Sequence, residues 1–105
     1  MFGFKIWKVK GHSMAPPIPQ GSFVLVASFL KHLPIKAGQR LLLSHPEYGD
    51  IIKTVAVIDR NGLIWCKGEN SNSISVEQLG PASKKQIIGR VIHIFKPMQY
   101  QQMVN

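Results

Sequence analysis

Ile51-Ile52-Lys53-Thr54-Val55-Ala56-Val57-Ile58, the connection Asp59-Arg60-Asn61-Gly62, and Leu63-Ile64-Trp65-Cys66-Lys67 decide the fold class. The two flanking runs are rich in β-branched and aromatic residues, which fit a pleated, half-buried surface. The Asn61-Gly62 pair between them is a strong hairpin signal, because both residue types accept the positive φ of tight turns. Alternation in the first run puts Ile51, Lys53, Val55 and Val57 on one face and Ile52, Thr54, Ala56 and Ile58 on the other. Outward from this hairpin, Phe23–Ala27 and Arg40–Ser44 are short apolar runs, and Phe2–Lys8 alternates imperfectly. Gln86–Phe95 reads as a last strand, buried on at least one face. Pro16-Pro17-Ile18-Pro19-Gln20-Gly21 fits neither a helix interior nor a central strand. Lys36–Gln39 is a turn, and His45–Asp50 is a loop or tight hairpin. Gly68–Gly80, rich in Ser and Asn, reads as an ordered loop or extended segment. Six or seven short strands separated by such turns predict an all-β (mainly β) chain, a small partly closed β-barrel or sandwich. The expected organisation is one domain over 1–97, with 98–105 a flexible C-terminal tail.

Composition narrows the function classes. The 105 residues carry 13 Lys plus Arg against 5 Asp plus Glu, a net charge of +8. That bias favours an acidic partner, either an anionic membrane surface or nucleic acid. Interleaved aromatic platforms are not evident, which makes nucleic acid the weaker reading. Phe2, Phe4, Ile6 and Trp7, interleaved with Lys5 and Lys8, suit a peripheral contact with an anionic membrane; they suit ordinary strand packing as well. The longest apolar stretch, Phe23–Leu30, falls far short of the ~20 residues that a membrane-spanning helix needs. No secretory signal pattern is visible. The expected location is therefore cytoplasmic or peripheral at a membrane. Cys66 is the single cysteine, so an internal disulfide framework is excluded. His12, His32, His45 and His93 show no metal-ligand spacing, and neither metal nor cofactor is expected.

Three polar positions ask for a chemical reading. Ser13, in Gly11-His12-Ser13-Met14-Ala15-Pro16, follows the first strand and precedes the Pro-rich turn. A serine there is either a nucleophile exposed beside backbone N–H groups or a plain turn residue. Lys53 shares a strand face with Ile51, Val55 and Val57. It is either a lysine whose stem packs while its ammonium reaches water, or a desolvated amine. A free lysine, with a pKa near 10.4, is neutral about once in a thousand at pH 7.4. Burial raises that share and makes the amine a competent general base. The third position is the hydroxyl-rich loop Gly68–Ser75, whose serines can orient an amine or cap turns. Together the three suggest Ser-Lys nucleophilic catalysis. A Ser-His-Asp arrangement is less attractive. His12 adjoins Ser13 in sequence, and His45 has only Asp50 as an orienting carboxylate. Cys66 reads as a buried core thiol.

Gly11-His12-Ser13-Met14-Ala15-Pro16-Pro17-Ile18, followed by Gly21-Ser22-Phe23-Val24-Leu25-Val26, resembles the nucleophile box of bacterial type I signal peptidases. Asp50-Ile51-Ile52-Lys53-Thr54-Val55 is similar to their general-base box. Gly68-Glu69-Asn70 through Gly80 is similar to a third box, G-D-N-x-x-x-S-x-D-S-R-x-x-G. Ile87-Ile88-Gly89-Arg90-Val91 resembles the closing strand. The ordered set covers residues 8 to 95. It implies a signal-peptidase-like serine peptidase of the S26/S24 superfamily, with the fold shared by signal peptidases and SOS-repressor protease domains. It further implies Ser13 as nucleophile, Lys53 as general base and the Ser13 backbone N–H as oxyanion donor. Met14 and Pro16 would border the substrate cleft. Ser73 (or Ser75) would orient the lysine. Three departures stand out. Thr54 replaces the usual arginine, the third box is one residue short, and Ser75 and Glu77 occupy the places of its Asp–Arg pair. A rearranged loop is the expected consequence.

The size and the His45-Pro46-Glu47 turn resemble compact proteases that mature nickel-type superoxide dismutase precursors. The implied function is removal of a short N-terminal leader from a protein precursor with small residues near the cut. Two alternatives stand beside it. One is a catalytically inactive binding module on the same fold. The other is a basic, nucleic-acid-associated domain like the repressor proteases, although only twelve residues precede Ser13, which leaves no room for a cleavable linker.

Overall fold

A computed structural model describes residues 3–98. Seven strands form one antiparallel sheet: β1 (Phe4–Lys8), β2 (Phe23–Ala27), β3 (Arg40–His45), β4 (Gly49–Ile58), β5 (Ile64–Lys67), β6 (Pro81–Ala82) and β7 (Ile87–Phe95). Their order across the sheet is β1-β2-β7-β3-β4-β5-β6, curled into a half-barrel. The all-β expectation holds in this form. Phe2 and the expected tail beyond residue 98 lie outside the described residues.

The β4–β5 hairpin forms where Asn61-Gly62 predicts it, and Gly62 adopts φ 81°. Asp59 organises the turn. Its carboxylate accepts the N–H groups of Asn61 (2.9 Å) and Leu63 (3.0 Å) and the indole N–H of Trp65 (3.0 Å). These donors, Trp65 foremost, hold the Asp59 carboxyl below its ordinary pKa.

The sheet buries apolar residues on both faces. One cluster gathers Leu41, Leu43, Val55, Ile64, Cys66 and Ile87 under Leu79 and Ile35. The other gathers Val24, Val26, Leu42 and Ile52 under Val9, Met14 and Ile18. Successive residues of a strand point to opposite faces. That explains why β3 and β4 read as nearly continuous apolar runs rather than clean alternation. Ile51, Lys53 and Val55 share one face as expected. Val57 leaves that face: the β4–β5 register shifts between Val55 and Val57, and Val57 is exposed. The extra residue of a bulge re-aims the side chains beyond it.

The Gly68–Gly80 segment holds a short helix, α1 (Val76–Leu79), in place of the expected loop. Ser75 caps it. Its Oγ accepts the Gln78 N–H at 3.1 Å, and the Gln78 side chain accepts the Ser75 N–H at 3.4 Å. This is a reciprocal capping box, and the spacing Ser75-x-x-Gln78 is its sequence signal.

Candidate active site

β4 carries Lys53 opposite Leu41 of β3. The side chain is 5% exposed and makes no hydrogen bond among the described residues. Burial lowers its pKa from the ordinary lysine value; the charge of an ionised Cys66 would oppose that shift. Cys66, however, is itself buried, which pushes its thiol up to about 11. It is therefore a neutral thiol at neutral pH and does nothing to hold a proton on Lys53. The expectation of a buried core cysteine holds, with Cys66 1% exposed.

Ser13 lies in the turn between β1 and β2. Its neighbours Met14 and Ile18 are fully buried against the sheet and pin the turn to it. The Ser13 carbonyl oxygen accepts three hydrogen bonds: from Glu69 N–H at 2.7 Å, Asn70 N–H at 3.1 Å and Ser73 Oγ at 2.9 Å. The Ser13 N–H and hydroxyl, by contrast, have no partner among the described residues. The loop comes this close because position 68 is glycine. A Cβ there would lie 2.2 Å from Ser73 Oγ and 2.7 Å from the Ser13 carbonyl oxygen.

Ser13, Lys53 and Ser73 line one cavity of about 630 Å³. Ile51, Ile74 and Leu79 supply its apolar wall, and Asn70, Asn72 and His12 add polar groups. A cleft of this kind, mainly apolar with a few convergent polar groups, is a default ligand site. Ser73 spends its hydroxyl hydrogen on the Ser13 carbonyl and keeps lone pairs that can accept from an amine. Ser75 is occupied at the cap of α1 and does not line the cavity. Met14 does not line it either. It is a core residue, 2% exposed, that borders only a small neighbouring crevice of about 80 Å³. Pro16 is exposed and lines neither. Met14 thus packs beneath the nucleophile turn, in a crevice that Ser13 also borders, while Pro16 borders neither cavity.

His45 is not poised as a base. Its Nδ1 accepts the backbone N–H groups of Glu47 (3.0 Å) and Tyr48 (3.2 Å). Nε2 must then carry the hydrogen, which it donates to Leu79 O at 3.0 Å. This imidazole fastens the β3–β4 turn to α1.

Sequence reasoning missed Glu69. Its carboxylate accepts a hydrogen bond from Thr54 Oγ1 and lies 3.9 Å from Arg40 Nε. Thr54 and Arg40 are cross-strand partners in β4 and β3. No group of three or more His, Cys, Asp or Glu suited to a metal ion occurs among the described residues. None of the described helices is long and apolar enough to cross a membrane.

A family model described as Peptidase S24-like matches residues 4–92, nearly the whole described sheet. The chain belongs to the Peptidase S24-like family. Membership makes the half-barrel a serine-peptidase domain and agrees with the broad resemblance drawn from the four boxes. The match runs from β1 into β7 and so includes the Ser13 turn, β4 and the 68–73 loop. No curated protein and no solved structure matches this Peptidase S24-like chain.

Proposed function

We propose that this protein is a serine endopeptidase in which Ser13 and Lys53 form the catalytic dyad. The observation that carries the reading is a buried, hydrogen-bond-free lysine lining the same cavity as a serine whose carbonyl is clamped and whose N–H is unused. Neutral Lys53 takes the proton of Ser13 Oγ as the oxygen attacks the scissile carbonyl. The Ser13 N–H donates to the oxyanion of the tetrahedral intermediate. Gly11 offers no second hydroxyl. A single such donor is worth ~3 kcal/mol in the transition state. The C–N bond then breaks, and Lys53 returns the proton to the leaving amine. Lys53 next deprotonates a water whose oxygen attacks the Ser13 ester; the C–Oγ bond breaks, and Lys53 returns that proton to Ser13 Oγ, which frees the enzyme. Ser73 orients the amine throughout.

The substrate in this reading is a protein precursor with a short N-terminal leader and small residues at the cut, nickel-type superoxide dismutase precursors among the first to try. The test is cleavage mapping by mass spectrometry on a panel of precursors and peptides, beside Ser13→Ala and Lys53→Ala. Cleavage by wild type and by neither variant is the expected result. Silence from folded wild type across the panel favours a binding module, and activity surviving in Lys53→Ala discards the dyad.

The same reading includes a peripheral contact with an anionic bilayer. Register puts Phe4, Ile6, Lys8, Phe23, Leu25, His93 and Phe95 on one face of β1-β2-β7. Phe4 and Ile6 are 59% and 55% exposed, while Trp7 packs inward. An exposed apolar face that includes Lys8, on a chain of charge +8, complements anionic headgroups above an apolar interior.

A further inference from the structure

Glu69 bridges the two elements that the proposed dyad depends on. Its side chain holds Thr54, the residue after Lys53 on β4. Its backbone N–H holds the Ser13 carbonyl at 2.7 Å. Arg40 reaches the same carboxylate oxygen from β3, and Arg40 Nε is buried without a hydrogen-bond partner. The Glu69 charge is what offsets that guanidinium, since this is the one ion pair among the described residues. The carboxylate and guanidinium are 24% and 31% exposed, so water competes only in part. Signal-peptidase-like boxes carry an arginine at the position of Thr54. Here the hydroxyl of Thr54 and the guanidinium across the strand pair converge on one acid.

We infer that Glu69 is a positioning residue for the Ser13–Lys53 pair, with Arg40 supplying from β3 the positive charge missing at Thr54. The inference rests on the proposed dyad. Without the carboxylate, Thr54 Oγ1 and Arg40 lose their acceptor. Nothing on the side chain of residue 69 then ties the 68–73 loop to β4. The Ser13 turn moves with that loop, because three of the loop's donors hold its carbonyl. A displacement of ~1 Å between reacting groups costs on the order of 100-fold in rate. The loss falls on the chemical step more than on substrate binding.

The experiment uses the full chain and a peptide that wild type cleaves in the precursor and peptide panel. It compares kcat, KM and thermal midpoint for Glu69→Ala, Glu69→Gln and Thr54→Val. Glu69→Ala is expected to lower kcat by roughly 30–100-fold, with KM within about threefold. Glu69→Gln keeps an acceptor for Thr54 while losing the charge, and is expected to recover kcat to within about tenfold of wild type. Thr54→Val removes the same hydrogen bond with a side chain of equal shape and is expected to fall in parallel. The double variant Glu69→Ala/Thr54→Val, measured beside them, is expected to lose little more than Glu69→Ala, because the two residues act through one contact. Wild-type kcat in folded Glu69→Ala, or a loss confined to KM, overturns the inference. If Glu69→Ala does not fold, wild-type kcat in Thr54→Val overturns it instead. Cleavage that depends on Ser13 and Lys53 but not on Glu69 sinks this inference alone. A wild type that cleaves nothing, or cleavage surviving in Ser13→Ala, removes the dyad and this inference with it.

Discussion

Replacing Lys53 by methionine separates what this residue does for the fold from what it does for chemistry. Lys53 is 5% exposed and faces a cluster of Leu41, Val55 and Cys66 with no hydrogen-bond partner for its amine. The amine opens onto the cavity rather than being sealed from it, so its partial desolvation falls at the low end of the usual cost of an unpartnered polar group, about 1 kcal/mol. Methionine fills nearly the same volume with no polar atom, so Lys53→Met is expected to stabilise the protein by a similar amount. In a domain of this length each kcal/mol moves the thermal midpoint by about 4–8 °C, so a rise of several degrees is expected. The gain depends on pH in a defined direction. The folded-state pKa of Lys53 lies below its unfolded value. Between the two the unfolded chain binds more protons, and wild-type stability rises with pH. The advantage of Lys53→Met is thus full below the folded pKa and shrinks as pH climbs toward ~10.4, the unfolded value. Denaturant melts of both proteins from neutral to alkaline pH measure it, and the difference between them cancels the other lysines. Equal stability at neutral pH, or a difference that does not change with pH, refutes a desolvated amine. The same substitution is expected to abolish cleavage, so stability and activity move in opposite directions at one residue.

Gly68→Ala sets a Cβ 2.2 Å from Ser73 Oγ and 2.7 Å from the Ser13 carbonyl oxygen; overpacking of this kind costs about 1–3 kcal/mol, and calorimetry with the cleavage assay should show lower stability together with lost activity. Asp59→Asn weakens the acceptor of three hydrogen bonds in the β4–β5 turn. Because the Asp59 pKa is depressed in the fold, its contribution is present above ~3.9 and is lost as pH falls through the lower folded value. The gap in thermal midpoint between wild type and Asp59→Asn should therefore narrow in acid, and a gap that widens there contradicts the turn's account. Wild type should co-sediment with phosphatidylglycerol vesicles and not with neutral phosphatidylcholine vesicles, while Phe4→Ser/Ile6→Ser should remain in solution. Concentration-dependent dimerisation without vesicle binding would reassign the β1-β2-β7 face to a second copy.

The strands are legible in the sequence because the local signals agree. β-branched runs, Asn61-Gly62 and the Pro-rich turn all point the same way; β2 and β7 lie within a residue of the bounds these signals set, and β4 begins two residues early, at Gly49. Tertiary closure is not legible. Lys53 alternates with Ile51 and Val55, but only the covering of both sheet faces turns that pattern into burial. A strand written alone cannot say whether its partly polar face looks at water. Met14 illustrates the converse. Its place beside Ser13 suggests the cleft, but neighbours in a turn point different ways, and the apolar one goes to the core.

Glu69 and Arg40 are the harder case, yet the information is present. Reading boxes one at a time makes Thr54 an arginine lost. The guanidinium inferred to stand in for it, Arg40, lies fourteen positions earlier, in a run that reads by itself only as an apolar strand. The link is register. The turn Pro46-Glu47-Tyr48 sets His45 opposite Gly49, which takes φ 74° as the turn closes. Counting back along both strands from that pair puts Arg40 opposite Thr54, as observed. A one-residue slip would send Arg40 to the other face, away from Glu69 and against the apolar cluster around Leu41. The buried face of β3 forbids the slip, since Leu41 and Leu43 would exchange places with Arg40, Leu42 and Ser44. The three leucines suit either face, so it is the polar ends of β3, Arg40 and Ser44, that fix the register and deliver the guanidinium to the acid. The place of a lost box residue has to be searched on the neighbouring strand as well as along the chain.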